Sequence, residues 1–136
     1  MKSAPKKPTQ KKPAALKHYV NWFEIPALNF ERALSFYNAI YSIDMETNQV
    51  GGYAMGFFPA KNGIGGAVVT GEGYAPNDQG PLLYLNGGKD LTAVLAKIED
   101  AGGRVIMPKT LINEAVGYFA LFIDTEGNRL ALHSKS

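Results

Sequence analysis

The chain has no cysteine among its 136 residues. That excludes disulfides, thiol catalysis and every zinc or iron–sulfur site built on cysteine. No apolar run approaches the ~20 residues of a membrane-spanning helix, so no membrane partner is expected. The start of the chain is basic but lacks the apolar segment of a secretory signal, and the expected location is cytoplasmic. Charged residues are scarce at 19%, against a usual ~25%. Hydrophobic residues reach 46%, an ordinary globular share that excludes a chain disordered throughout. Glycine (15) and proline (8) are plentiful and mark a turn-rich chain, more strand than helix. The length suits one domain.

The net charge of +2 conceals two opposite halves. Residues 1–17 hold six lysines and no acid, whereas the remainder holds 8 basic and 12 acidic residues. Pro5, Pro8 and Pro13 interrupt the basic segment, and its apolar residues are mostly alanine. Such a stretch buries too little apolar area to offset its ordering entropy, so 1–17 reads as a disordered tail ahead of a domain over 18–136. A charge run of this kind is usually a solvated, solubilising segment. No aromatic residue sits among the lysines to stack on bases, which leaves nucleic acid as a weak contact of the tail at most.

The domain reads as the same series of elements twice. Residues 19–25 are rich in aromatic and β-branched residues and stop at Pro26, as a strand does. Asn29 is placed to cap a helix in which Phe30, Ala33, Leu34, Phe36, Tyr37 and Ile40 recur at helical spacing to about Ser42. Short strands follow at 44–50, 52–58 and 64–70, then a loop over 71–80. A strand at 81–86 leads to a second amphipathic helix, capped by Asp90 and closed by Gly102-Gly103. Strands at 104–107 (ended by Pro108), 116–124 and 129–134 complete the chain. The order is βαβββ twice, in modules of about 19–70 and 81–134. A shift of 61 lays Phe23 on Tyr84 and Ala33 on Val94, and a shift of 65 lays Tyr53 on Tyr118 and Phe57 on Phe122. Two units too small to fold alone share one core.

The run Trp22-Phe23-Glu24-Ile25-Pro26-Ala27-Leu28-Asn29-Phe30-Glu31-Arg32-Ala33-Leu34-Ser35-Phe36-Tyr37 resembles the opening strand and helix of the vicinal oxygen chelate superfamily. That group includes glyoxalase I, extradiol dioxygenases and bleomycin-resistance proteins. Its usual aspartate before the helix is Asn29 here, which still caps. The stretch Gly117–Leu132, with Asp124-Thr125-Glu126-Gly127-Asn128, resembles its closing hairpin, with Thr125 where proline is common. The resemblance covers about residues 19–134. It implies an α+β fold in which two βαβββ modules form a curved, incomplete barrel-like mixed sheet with helices outside. It also implies a homodimer. It does not fix an activity, because one fold hosts many chemistries.

Enzymes of this superfamily hold a divalent ion with His and Glu from four strands, leaving open positions for a substrate. The resemblance puts those four ligands at Trp22, Gly66, Leu83 and Ala131, none of which coordinates a metal. Allowing a slip of two residues recovers only Glu24 and His133, short of the three protein ligands a catalytic site needs. No metal and no other cofactor is therefore expected. The glycines at 63, 65 and 66 do not open a helix and form no phosphate loop.

Strand alternation puts Trp22 and Glu24 on one face and Phe23 and Ile25 on the other. The resemblance assigns the first pair to the cleft, and the same parity puts Arg129, Ala131 and His133 there. Tyr53, Tyr84 and Tyr118 are candidates to add hydroxyls. Each candidate has a plainer alternative. Trp22 is a stacking platform or a core filler, and Glu24 is a general base or the partner of Arg129 or a lysine. His133 is an acid/base group or a partly exposed strand residue. Three readings follow. The first is a metal-independent binder of a small organic molecule. The second is a lyase, isomerase or dioxygenase-type enzyme using Glu24 and His133. The third is an interaction protein led by its tail.

Overall fold

The structure, a computed structural model, describes residues 12–136. Its elements are β1 (Trp22–Pro26), α1 (Phe30–Tyr41), β2 (Glu46–Val50), β3 (Tyr53–Phe57), β4 (Gly65–Thr70), β5 (Tyr84–Asn86), α2 (Thr92–Ile98), β6 (Arg104–Asn113), β7 (Gly117–Ile123) and β8 (Arg129–Ser134). The expected βαβββ order is present twice. Most of the expected tail lies outside the described residues. Residues 12–17 are exposed and form neither helix nor strand.

Among the described residues the strands form two four-stranded mixed sheets, ordered β1-β4-β3-β2 and β5-β8-β7-β6, and neither closes into a barrel. β1 runs parallel to β4, and β5 runs parallel to β8. The remaining neighbours are antiparallel. β6 continues through Pro108, where the sequence pattern ends it. It is an edge strand, and its register shifts between Met107 and Thr110, so proline's missing N–H breaks no ladder.

Helix α1 forms because its apolar residues recur at helical spacing and both ends are capped. The Asn29 side chain accepts from the Arg32 N–H at 3.0 Å, and Ser42 takes a left-handed turn at φ 53°. Its buried side, Ala33, Phe36, Tyr37 and Ile40, joins Ile25 and Val68 of the first sheet. The same cluster includes Leu85, Phe122, Leu130 and Leu132 of the second sheet and Leu91, Val94 and Ile98 at α2. The Phe36 and Phe122 rings lie 6.2 Å apart. One continuous core, centred on the helices, thus joins the two modules.

The registers correct the repeat. Trp22 pairs with Gly65 and Tyr84 with Ala131, so the strands superpose at shifts of 62 and 66. The sequence alignment laid Phe23, on the helix side, over Tyr84, which faces the other way. Phe57 pairs with Ala67 and Phe119 with His133, so Phe57 corresponds to Phe119, not to the core residue Phe122. Between the helices the shift of 61 holds: Ala33 and Val94 are buried alike, as are Tyr37 and Ile98.

The hairpin from Asp124 to Asn128 fastens the second module to the start of α1. Asp124 accepts from the Glu126 and Asn128 N–H groups, the Asn128 side-chain amide and the buried Tyr37 hydroxyl. Glu126, its side chain 0% exposed, accepts from the Leu28 and Asn29 N–H groups at 2.9 and 2.7 Å. It also pairs with Arg32 at 2.7 Å. Burial by itself would raise the Glu126 pKa. The bonds from Arg32, the Asn29 N–H and Thr125 outweigh it and hold the carboxyl below its usual range. A carboxylate suits the positive end of a helix as well.

Candidate functional site

Each sheet has one face toward the helices and one turned away. On the first sheet the register places Trp22, Glu24, Gly65, Ala67, Met55, Phe57 and Tyr53 on the face turned away. Trp22 is 46% exposed there, and its ring lies 6.2 Å from that of Phe57. Glu24 accepts from the Trp22 indole N–H at 3.3 Å and from the Tyr74 hydroxyl at 2.6 Å. Bonding to that carboxylate holds the Tyr74 phenol above its ordinary pKa. Tyr53 packs edge-on against Tyr74, with centroids 5.8 Å apart. Trp22, Glu24 and Tyr53 therefore belong to one constellation. Tyr74 and Phe57 complete it, and neither is among the site residues expected from the sequence. Tyr74 lies in a loop with no periodicity to place it, and only a correct repeat alignment singles out Phe57.

On the second sheet Tyr84, Phe119, Leu121, Arg129, Ala131 and His133 share the corresponding face. Tyr84 is 50% exposed and lies 6.4 Å from Phe119. The Trp22–Phe57 and Tyr84–Phe119 pairs are equivalent positions of the repeat with nearly equal geometry, inclined at 54° and 52°. Tyr118 is the exception among the candidates. It pairs with Ser134, packs against the core on the helix side and carries Lys109 over its ring at 4.5 Å. The run Gly117–Phe122 is apolar throughout and gives no alternation from which to read its face. His133 Nε2 donates to the Val116 carbonyl at 2.7 Å.

Among the described residues, a smaller and a larger pocket lie between the modules. The smaller, about 270 Å³, is lined by both Glu24 and Arg129. The larger, about 900 Å³, is lined by Phe23, Tyr41, Phe58, Leu83, Leu85 and Val94, largely the helix-facing side of each sheet. Neither pocket contains both Glu24 and His133, and no hydrogen bond joins those two residues.

No family model and no curated protein matches the chain. Solved structures do. The antibiotic binding protein TnmS3 from Streptomyces sp. CB03234 is 23% identical, with a TM-score of 0.62 over 91% of this chain and 100% of that one. A glyoxalase/bleomycin resistance protein from Albidiferax ferrireducens is 16% identical, with a TM-score of 0.63 over 88% and 100%. A glyoxalase I mutant from Zea mays is 14% identical, with a TM-score of 0.61 over 85% of this chain but 43% of that one. The chain has the vicinal oxygen chelate fold.

Enzymes with this fold hold a divalent ion, and the donor set shows whether the residues here fit one. On the observed registers the positions that the resemblance assigns to the four ligands become Trp22, Gly65, Tyr84 and Ala131, one residue from the expected Gly66 and Leu83. Gly66 and Leu83 face the helices instead. An indole, a hydrogen, a phenol and a methyl group do not fit a divalent ion that takes imidazole and carboxylate. Among the described residues no three His, Asp or Glu side chains gather to hold a metal. No described helix is long and apolar enough to cross a membrane.

Proposed function

We propose that this chain is a metal-independent binder of small, partly aromatic organic molecules, working as a homodimer in the cytoplasm. The observation that carries this reading is the pair of equivalent aromatic platforms, Trp22–Phe57 and Tyr84–Phe119, in which Trp22 and Tyr84 are half open to solvent. Large rings kept at the surface retain unburied apolar area, and a stacked ligand supplies that burial. The charges differ between the faces, with Glu24 on the first and Arg129 on the second. A second copy, placed by a two-fold axis, would bring a first-module face to a second-module face and cover the edge strands β1 and β5. TnmS3, described as an antibiotic binding protein, is a structural neighbour of matching length.

A thermal-shift screen against planar aromatic compounds tests the reading, because a ligand of the native state raises its stability. Trp22→Ala is expected to weaken the resulting hit by ~1–3 kcal/mol, the range of a stacking anchor. Elemental analysis of the purified protein should find no stoichiometric metal. About one Ni, Zn, Fe or Mn per chain, retained through dialysis, would overturn the metal-independent reading.

A further inference from the structure

We propose that the pocket shared by Glu24 and Arg129 selects a small zwitterion, a molecule carrying an ammonium and a carboxylate as an α-amino acid does. The proposal rests on the ligand-binding reading above and names the ligand class for its charged end.

The pocket brings an acid and a base together without letting them neutralise each other. Glu24 comes from β1 and Arg129 from the start of β8, and both line the same space of about 270 Å³. The ion pairs among the described residues are Arg32–Glu126 and Lys109–Asp90, so neither Glu24 nor Arg129 has an opposite charge within bridging distance there. Glu24 stays where it is because its oxygens are already engaged. One accepts from the Trp22 indole and the other from the Tyr74 hydroxyl. Both donors are neutral, so they orient the carboxylate and leave its charge for a ligand. Each oxygen also keeps acceptor capacity beyond the single bond it makes. Arg129 is anchored through its backbone, whose N–H donates to the Asn77 carbonyl at 3.3 Å, and its guanidinium has no hydrogen-bond partner among the described residues.

Two oppositely charged residues that line one small space, neither of them in an ion pair, are complementary to a ligand that carries both charges. A ligand with one charge would desolvate the other protein group without pairing it, an unfavourable exchange. The guanidinium fork suits a carboxylate, and the carboxylate suits an ammonium. The volume lies at the small end of ligand pockets, which favours an amino-acid-sized molecule over a drug-sized one.

The test compares three probes with one phenyl skeleton, namely phenylalanine, phenethylamine and 3-phenylpropionate, by calorimetry on the full chain. The native protein should bind phenylalanine at least ~10-fold tighter than either singly charged probe, since a site built for a polar group rejects the analogue lacking it. Glu24→Gln should weaken phenylalanine and phenethylamine while sparing 3-phenylpropionate. Arg129→Gln should weaken phenylalanine and 3-phenylpropionate while sparing phenethylamine, and Arg129→Lys should restore part of that loss. Equal affinities for the three probes in native protein, or an order unchanged by both variants, overturns the proposal. Uncharged 2-naphthol separates the two readings. If it still binds and needs Trp22 while the charged probes are indistinguishable, the zwitterion proposal alone fails. If it and all three charged probes fail to bind, both readings fall.

Discussion

In the first module Phe57 and its partner Ala67 stand 10 positions apart, and in the second Phe119 and His133 stand 14 apart. The four additional positions fall in the β7–β8 hairpin, the segment that carries Asp124, Glu126 and Asn128. The first module has no such hairpin and supplies the receiving groups instead: the Leu28 and Asn29 N–H groups, Arg32, Tyr37 and the Pro26 carbonyl. What the modules share, an aromatic pair on the face turned from the helices, is what the proposed function uses. What they do not share adds polar fastenings between them to the common core. The difference separates residues that fasten the fold from those on the proposed binding faces.

The hairpin is where the comparison breaks hardest. Glu126→Ala leaves the Leu28 and Asn29 N–H groups without their acceptor and frees the half-exposed Arg32 guanidinium into water, and should cost ~1–3 kcal/mol, as leaving buried donors unsatisfied does. Urea denaturation checks it, and a loss under ~1 kcal/mol would mean that the hairpin does not fasten the modules. Acid should reach the same contact more gently. Because the folded pKa of Glu126 is lowered, its stabilisation is complete above the ordinary carboxylate value near ~4.3. It is lost as pH falls through the lower folded value. Glu126→Gln should therefore flatten the fall in urea midpoint between pH 6 and pH 3. Asp90, held at about 2 by bonds from Thr92 and Lys109, keeps a residual slope in both proteins.

Smaller effects should follow at the helix cap and on the open faces. Asn29→Ala removes the side-chain bond to the Arg32 N–H and should cost ~1 kcal/mol. Trp22→Ala and Tyr84→Ala, on half-exposed rings, should each cost about 1 kcal/mol of folding stability or less. Loss of ~3–5 kcal/mol at Trp22 would instead make it a core residue, with no platform role.

The plan of the fold was legible because its signals are periodic. Helix α1 could be placed from the spacing of Ala33, Phe36, Tyr37 and Ile40, and the two-fold order of elements from the turn residues between them. Which way a strand faces was harder. β1 alternates, so Trp22 and Glu24 were placed on a common face by parity. Leu82-Leu83-Tyr84-Leu85 is apolar throughout, and Gly65-Gly66 has no side chains to declare a side. A repeat aligned from the sequence accordingly slips by one residue in those strands. A proline on an edge strand reads as an end, although an edge tolerates it, so the sequence pattern stops at Met107 while β6 runs on to Asn113. The bond from Tyr74 to Glu24 spans 50 residues and leaves no local pattern. The hairpin residues were noticed as a family motif, while their chemistry toward α1 depends on contacts more than 80 residues distant.

The central claim, that the first module's open face is a ligand platform, is tested most directly by the fluorescence of the native protein. Trp22 is the one tryptophan in the chain, so the signal comes from a single place. Titration with planar aromatic compounds should change its intensity and emission maximum saturably. Tyr84→Ala should weaken the response if the second platform shares the ligand. An emission that no compound shifts, while those compounds still raise the melting temperature, would place the ligand elsewhere and contradict the account.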